Sequence, residues 1–293
     1  MAELSLGALT AVTASVLFSA GLVLQSLEAR TIPPEHSLRL SLFGRLLGRR
    51  RWIAGGLIMV VGFGFHVCAL LLAPLTVVQP SLAAGLIVLV VAGARHDAEP
   101  VHGRDVLAVL AISLGVVGLT LTASQRNTLT VSAGRLALAL IPLAAAALAP
   151  YGVALLGSRH GRSGGLSATL GAGAAYALTG LTTKLVSDRI ADADWGGAIL
   201  WLAVTASAAG LALVDQTTAL QRRGAKQVGV IIYVMPVVVP VVIAAVLLGE
   251  SWAASPAAAV VLALSVTAVC AGAAALSGSR RVVALEAATQ PRR

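Results

Sequence analysis

Asp215 stands inside the apolar run 198–220, with Gln216 beside it. A carboxylate at the centre of a membrane helix costs about 2.5–3.5 kcal/mol on insertion scales, so it needs a proton, a cation or a paired charge. In a working role it binds and releases a coupling proton or cation, helped by Gln216. In a structural role it reaches Arg222 or Arg223, two turns on. His66, in the run 52–72, titrates near neutral pH and is the second candidate relay. Its bland alternative is a single interhelical hydrogen bond. Lys184 sits near the end of the run 166–186, four residues before Asp188. That spacing allows an i,i+4 pair; snorkelling to the interface or attraction of an anion are the other roles open to it. Gln25, Gln79, Thr182, Thr183 and Tyr233 are neutral donors and acceptors within apolar segments, suited to a polar substrate or to one another. The candidate site is thus Gln25, Gln79, Lys184 and Tyr233 for substrate, and Asp215, Gln216 and His66 for coupling. No metal ligand set and no cofactor are expected.

The elements that would position these groups follow from composition. Of 293 residues, 58% are hydrophobic and 11% are charged. Soluble domains carry about 25% charged residues, so lipid is the expected solvent. Backbone polar groups in lipid are satisfied only in helices or closed barrels. The apolar segments run to about 20 residues, the length of a spanning helix and twice that of a barrel strand. The expected fold is an all-α, polytopic membrane helix bundle with about nine spans: 4–27, 52–72, 75–94, 106–123, 136–156, 166–186, 198–220, 228–248 and 257–276. Pro142 and Pro150 mark the fifth span for a kink. Cys68 and Cys270 lie within spans and read as small packing residues. Residues 1–4 lack a basic region and a cleavage site, so the first span reads as a retained helix.

The net charge of +9 does not mark a nucleic-acid binder, because the basic residues fall in short loops between spans. Seventeen of the 21 Lys and Arg lie in alternate loops and the tail, from Arg30 to Arg293; Arg126, Arg135 and Arg189 lie in the others, and Lys184 within a span. The positive-inside rule puts the first set in the cytoplasm, with the N-terminus outside and the C-terminus inside the cell membrane. Trp52, Trp195, Trp201 and Trp252 near span ends suit interface anchors. The loop 37–51 carries leucines able to share a helical face and ends in Arg49-Arg50-Arg51, so a short helix on the inner leaflet is expected.

Two halves match in collinear order. Gly21-Leu22 and Arg30 parallel Gly180-Leu181 and Arg189; Pro80 and Gly93 parallel Pro236 and Gly249; Gly118 parallels Gly272. Span one runs inward and span six outward, so the repeats are inverted, spans 1–4 against 6–9 with span five as linker. Such repeats put a site near the midplane. The implied units are residues 1–125, a linker 132–163, a second repeat 164–278 and a cytoplasmic tail 279–293.

Gly21-Leu-Val-Leu-Gln-Ser-Leu-Glu-Ala-Arg30, Ala73-Pro-Leu-Thr-Val-Val-Gln-Pro80, Thr179-Gly-Leu-Thr-Thr-Lys184, Asp215-Gln216 and Ile232-Tyr-Val-Met-Pro236 leading to Gly249-Glu-Ser-Trp252 carry a resemblance. Through them nearly the whole chain resembles the drug/metabolite transporter superfamily, including its nine-span NIPA-type magnesium transporters and EamA-like bacterial relatives. The resemblance implies alternating access with substrate held between the halves. The magnesium branch carries a glutamate after the second-span glycine, where this chain has Gly62-Phe63; the counterpart of Gly249-Glu250 is Gly93-Ala94. These departures point to a small polar or amphipathic metabolite ahead of a divalent cation.

No HExxH, P-loop or nucleophile elbow is present, so no enzyme is expected. A non-transporting membrane scaffold is the alternative of another class. The partners expected are the lipid bilayer, a small-molecule substrate and a coupling proton or cation, with no nucleic acid; a homodimer is left open.

Overall fold

The computed structural model describes residues 2–33, 36–38, 40–72, 81, 85–96, 102–122, 133–155, 162–247 and 256–277. Every regular element among them is a helix. In chain order these are α1 (Ala2–Ala29), α2 (Leu40–Leu46), α3 (Arg50–Leu72), α4 (Gly85–His96), α5 (Gly103–Thr122), α6 (Ala133–Leu155), α7 (Arg162–Ala191), α8 (Trp195–Arg222), α9 (Ala225–Leu247) and α10 (Pro256–Ser277). Four carry segments long and apolar enough to cross a membrane by length and composition: Ser5–Ala29, Gly134–Leu155, Trp195–Arg222 and Ala257–Leu276.

The outer surface is apolar. Leu57, Val60, Leu107, Leu114, Ile141, Leu200 and Leu264 are each more than half exposed. The interior mixes small residues, Ala11, Ala14, Ala147, Ala172 and Ala175 among those fully buried, with large ones such as Leu22, Leu89 and Ile112. That distribution suits a bundle whose solvent is hydrocarbon: helices gain nothing by hiding leucine from lipid, and gain contacts by approaching closely over small side chains. Gly21 and Gly55 make one such approach. A Cβ on Gly21 would stand 2.6 Å from the Gly55 carbonyl oxygen, bringing α1 and α3 backbone to backbone. Cys68 and Cys270 are exposed on this outer surface and are not the packing residues expected of them.

The strongest pairings are α1 with α3, α7 with α8, and α5 with α10. Helix α9 runs through the middle and touches α1, α4, α6, α7, α8 and α10. The turn between α7 and α8 is tight. Ala193 takes a positive φ of 58°, Asp194 accepts from the Gly197 amide at 2.9 Å as a helix cap, and Arg189 pairs with Asp194 at 3.0 Å. Helix α6 carries Pro142 and Pro150 in its interior.

One end of the bundle gathers the C-terminal ends of α1 and α8 and the N-terminal ends of α3, α5, α7 and α9. Arg30 donates to the Arg223 carbonyl at 3.4 Å, and Arg49 stands 4.0 Å from Glu28. Lys226 pairs with Asp105 at 3.2 Å, both nearly fully buried, while the His102 amide donates to the other Asp105 oxygen. The segment after α1 is laced onto α8 here. Leu38 N–H donates to Thr218 Oγ1 (3.0 Å), Ser37 to Gln221 Oε1 (3.0 Å), and Gln221 Nε2 to the Ile32 carbonyl (3.3 Å). Helix α2 fills the position expected for a short helix, but Leu42 and Leu46 face protein. Leu42 and Leu46 are fully buried against Ile32 and Trp52. Trp52 is therefore a packing residue at this end, whereas Trp195 is 65% exposed as an interface anchor would be.

Candidate functional site

Three of the seven sequence candidates, His66, Gln216 and Tyr233, line one space between the helices, and Gln25 is joined to Gln216 beside it. That space has two lobes of about 230 and about 220 Å³ that share Phe18, Ile232, Tyr233 and Pro236. Small-molecule pockets span about 300–1,000 Å³; each lobe by itself is smaller, and only the two jointly would reach that range. Helices α1, α3, α4, α5, α7, α8 and α9 each contribute to the wall.

Between the lobes stands Tyr233, one turn before Pro236. Its hydroxyl lies 3.3 Å from Ser19 Oγ. Ser19 spends its single proton on the Gly85 carbonyl at 2.8 Å, so Tyr233 is the donor and Ser19 the acceptor. Gly85 permits that contact: a Cβ there would stand 2.8 Å from Ser19 Oγ and from the Ser15 carbonyl oxygen.

The second lobe is floored by a hydrogen-bond chain across three helices. Tyr176 of α7 donates to Gln216 Oε1 at 2.7 Å, and Gln216 Nε2 of α8 donates to Gln25 Oε1 of α1 at 2.9 Å. Gln216 is fully buried and Gln25 nearly so. Polar groups inside lipid-solvated bundles are kept where a neighbouring helix satisfies them, and each side chain here is satisfied by a partner far away in sequence. Leu22, Met59 and Ile232 complete this lobe.

His66 of α3 lines the first lobe, half-buried, with its Nδ1 buried and without a hydrogen-bond partner among the described residues. The expected interhelical hydrogen bond is thus not made through that nitrogen. Phe18 and Phe63 flank the ring at centroid distances of 6.4 and 6.5 Å.

Asp215 is fully buried but lies outside this space. Both its oxygens lack a formed hydrogen bond among the described residues, so the structural pairing with Arg222 or Arg223 is not made. Arg222 instead donates to Ser37 Oγ at 3.2 Å. The polar side chain standing against Asp215 is Tyr151 of α6. Thr182 and Thr183 bond to carbonyls of their own helix and line neither lobe. Lys184 lies on α7, its side chain outside the described set, and Gln79 lies outside the described residues.

Sequence reading missed Ser19, Phe18, Met59, Tyr151 and Tyr176. Tyr176 had a signal available: it is the one hydroxyl-bearing aromatic at the end of Gly171-Ala-Gly-Ala-Ala, a run otherwise made to let helices touch. No group of three or more His, Cys, Asp or Glu able to hold a metal occurs among the described residues. No family model, curated protein or solved structure matches the chain.

Proposed function

We propose that the protein is a secondary transporter of the drug/metabolite type, carrying a small neutral amphipathic metabolite by alternating access. The observation that carries this reading is the cavity. It is open space at mid-helix depth, walled by aromatic and aliphatic side chains and edged by phenol, amide and imidazole groups. A solidly packed interior would have favoured the scaffold. A neutral polar edge on an apolar wall suits a molecule with one or two hydrogen-bonding groups and a hydrophobic body.

The nine-span, inverted-repeat architecture belongs to the same proposal. Its support is packing: α1 rests on α3 as α7 rests on α8, and α1 touches α4 as α7 touches α9. Those correspondences pair span one with six, two with seven and three with eight. The fourth and ninth spans, α5 and α10, pack on each other, as elements flanking a pseudo-two-fold do. The proposed orientation has support in the gathering of Arg30, Arg49, Arg222, Arg223 and Lys226 at one end. With that end in the cytoplasm of the cell membrane, the lacing of Ile32, Ser37 and Leu38 onto α8 closes the inner side. Asp215 takes the coupling role in this reading, and Gln216 beside it joins that role to the cavity.

The test is flux in proteoliposomes across a panel of neutral amphipathic metabolites and divalent metals, with and without a pH gradient. We expect a neutral amphipathic solute to move, faster with a gradient, and Tyr233→Phe to lower its apparent affinity. Movement of Mg²⁺ or Mn²⁺ alone would transfer the proposal to the cation reading. No flux from folded protein would leave the scaffold.

A further inference from the structure

The polar edge of the central cavity has a sign, set by where its protons already go. The Gly85 carbonyl can only accept, so the Ser19 proton is spent on it. The Tyr233 proton is then spent on Ser19. What the phenol of Tyr233 still offers is the lone pairs of its oxygen. The other phenol of the wall is in the same state: Tyr176 gives its proton to Gln216 Oε1, and Gln216 spends an amide hydrogen on Gln25. The backbone of α9 adds a further acceptor. Pro236 has no N–H to give the Ile232 carbonyl four residues back, and both residues line both lobes. Among the described residues no Asp, Glu, Lys or Arg lines either lobe.

We propose that the cavity selects substrates whose polar group is a neutral N–H or O–H donor, and that Ser19, backed by the Gly85 carbonyl, fixes this choice. The inference rests on the reading of the cavity as the substrate site and adds the substrate's chemistry. Tyr233 belongs to both lobes, so a ligand in either one meets its oxygen. A hydroxyl, an indole-type N–H or an amide N–H placed there completes a row: ligand to Tyr233, Tyr233 to Ser19, Ser19 to Gly85. Every donor in that row has an acceptor. An acceptor-only group, such as a ketone, ester or ether, sets lone pair against lone pair. It gains a hydrogen bond from Tyr233 only by taking that proton away from Ser19. A carboxylate or phosphate meets the same mismatch and adds a charge with no opposite charge among the described lining residues.

Ser19 acts through Tyr233, as a positioning residue. It is fully buried and lines neither lobe. Its reach to the Gly85 carbonyl depends on the glycine, because a Cβ there would stand 2.8 Å from Ser19 Oγ and push α4 away from α1. The remaining polar groups leave the sign unchanged. A neutral imidazole carries one donor and one acceptor, so His66 serves either kind of ligand. Gln216 keeps one amide hydrogen, but it is fully buried and lines the second lobe alone.

Matched probes test the selection without any transport assay. A fluoroindole carries one N–H donor. Its N-methyl derivative carries none, and a fluoroacetophenone carries only an acceptor. Fluorine NMR of each with full-length protein in nanodiscs, corrected against empty nanodiscs, gives the affinities. We expect the fluoroindole to bind about tenfold tighter than either of the others, the worth of about one hydrogen bond. Tyr233→Phe removes the main acceptor and should cut that preference to about threefold or less. Ser19→Ala keeps the shape of the site and frees the Tyr233 proton. It should tighten the fluoroacetophenone and so erase or reverse the preference, at a melting temperature near that of the parent. A Ser19 with a structural role only would shift all three probes by one factor. Should Tyr233→Phe not fold, Ser19→Ala decides by itself. Equal affinities in the parent, no binding of any probe to folded protein, or a uniform shift in Ser19→Ala overturns the inference. Donor selection in a protein without flux defeats the transport reading alone. Flux of a solute with no donor preference among the probes defeats the inference alone.

Discussion

Gln216 shows what one sequence discloses about a residue and what it withholds. A charged or amide side chain in an apolar run stands out by type, and that brought Asp215, Gln216 and Gln25 forward. Which of them touch is set by packing across 191 residues, and no spacing rule reaches that far. Tyr176 and Ser19 escaped because tyrosine and serine are common in membrane helices and carry no charge. Asp215 was visible by type, with Arg222 or Arg223 open to it as a structural partner by helical spacing; the tertiary fold turns Arg222 to Ser37 instead. The chain yields a prediction that separates structure from function. Interhelical hydrogen bonds in membranes are worth about 0.6 kcal/mol on average and up to about 1.7. Tyr176→Phe removes one donor from a satisfied amide and should lower the melting temperature in detergent only slightly. Gln216→Leu strands both neighbours and should lower it clearly more. If the chain also floors the binding site, both variants should weaken substrate binding beyond their loss of stability. Equal melting temperatures for the two variants would remove the chain as a structural unit.

At the scale of elements, hydropathy and length suffice to find helices, and each of the nine apolar stretches falls at least partly on a described helix. The start of the third stretch lies outside the described residues; the other ends differ by a few residues, because caps and tight turns, such as that at Ala193 and Asp194, extend helices beyond the hydrophobic segment. Helix α2 was legible as a helix and not as to what it covers. A leucine face beside arginines suits lipid and protein equally, and the burial of Leu42 and Leu46 depends on Trp52 arriving from another element. Glycines divide the same way. Gly21 sits where α1 and α3 touch, whereas a Cβ at Gly64 or Gly180 meets nothing within 4 Å. Gly21→Leu should therefore force the pair apart, costing about 1–3 kcal/mol, or more if the helices separate. Gly180→Leu should be neutral. Thermal unfolding followed by circular dichroism measures both. A Gly21→Leu protein as stable as the parent would mean that α1 and α3 do not approach as described.

At the scale of the molecule, two independent patterns bear on one orientation. On the nine-span reading seventeen basic residues fall in alternate loops and the tail, and the fold brings several of them to a common end. Charge retained on one side resists translocation, so this end should be cytoplasmic. Ser41 on α2 lies in the segment laced at that end; Asp192 lies in the turn between α7 and α8 at the other. Both are exposed. In a background with Cys68→Ala and Cys270→Ala, Asp192→Cys should react with an impermeant maleimide added to intact cells. Ser41→Cys should react only in inverted vesicles or after permeabilisation. Reaction of both from one side would end the nine-span reading, because the two positions flank an odd number of the proposed spans. It would also end the inverted-repeat reading, since span one and span six must run in opposite directions for the halves to be inverted. The converse result, Ser41 outside and Asp192 inside, would keep nine crossings and the repeat. It would turn the laced end outward.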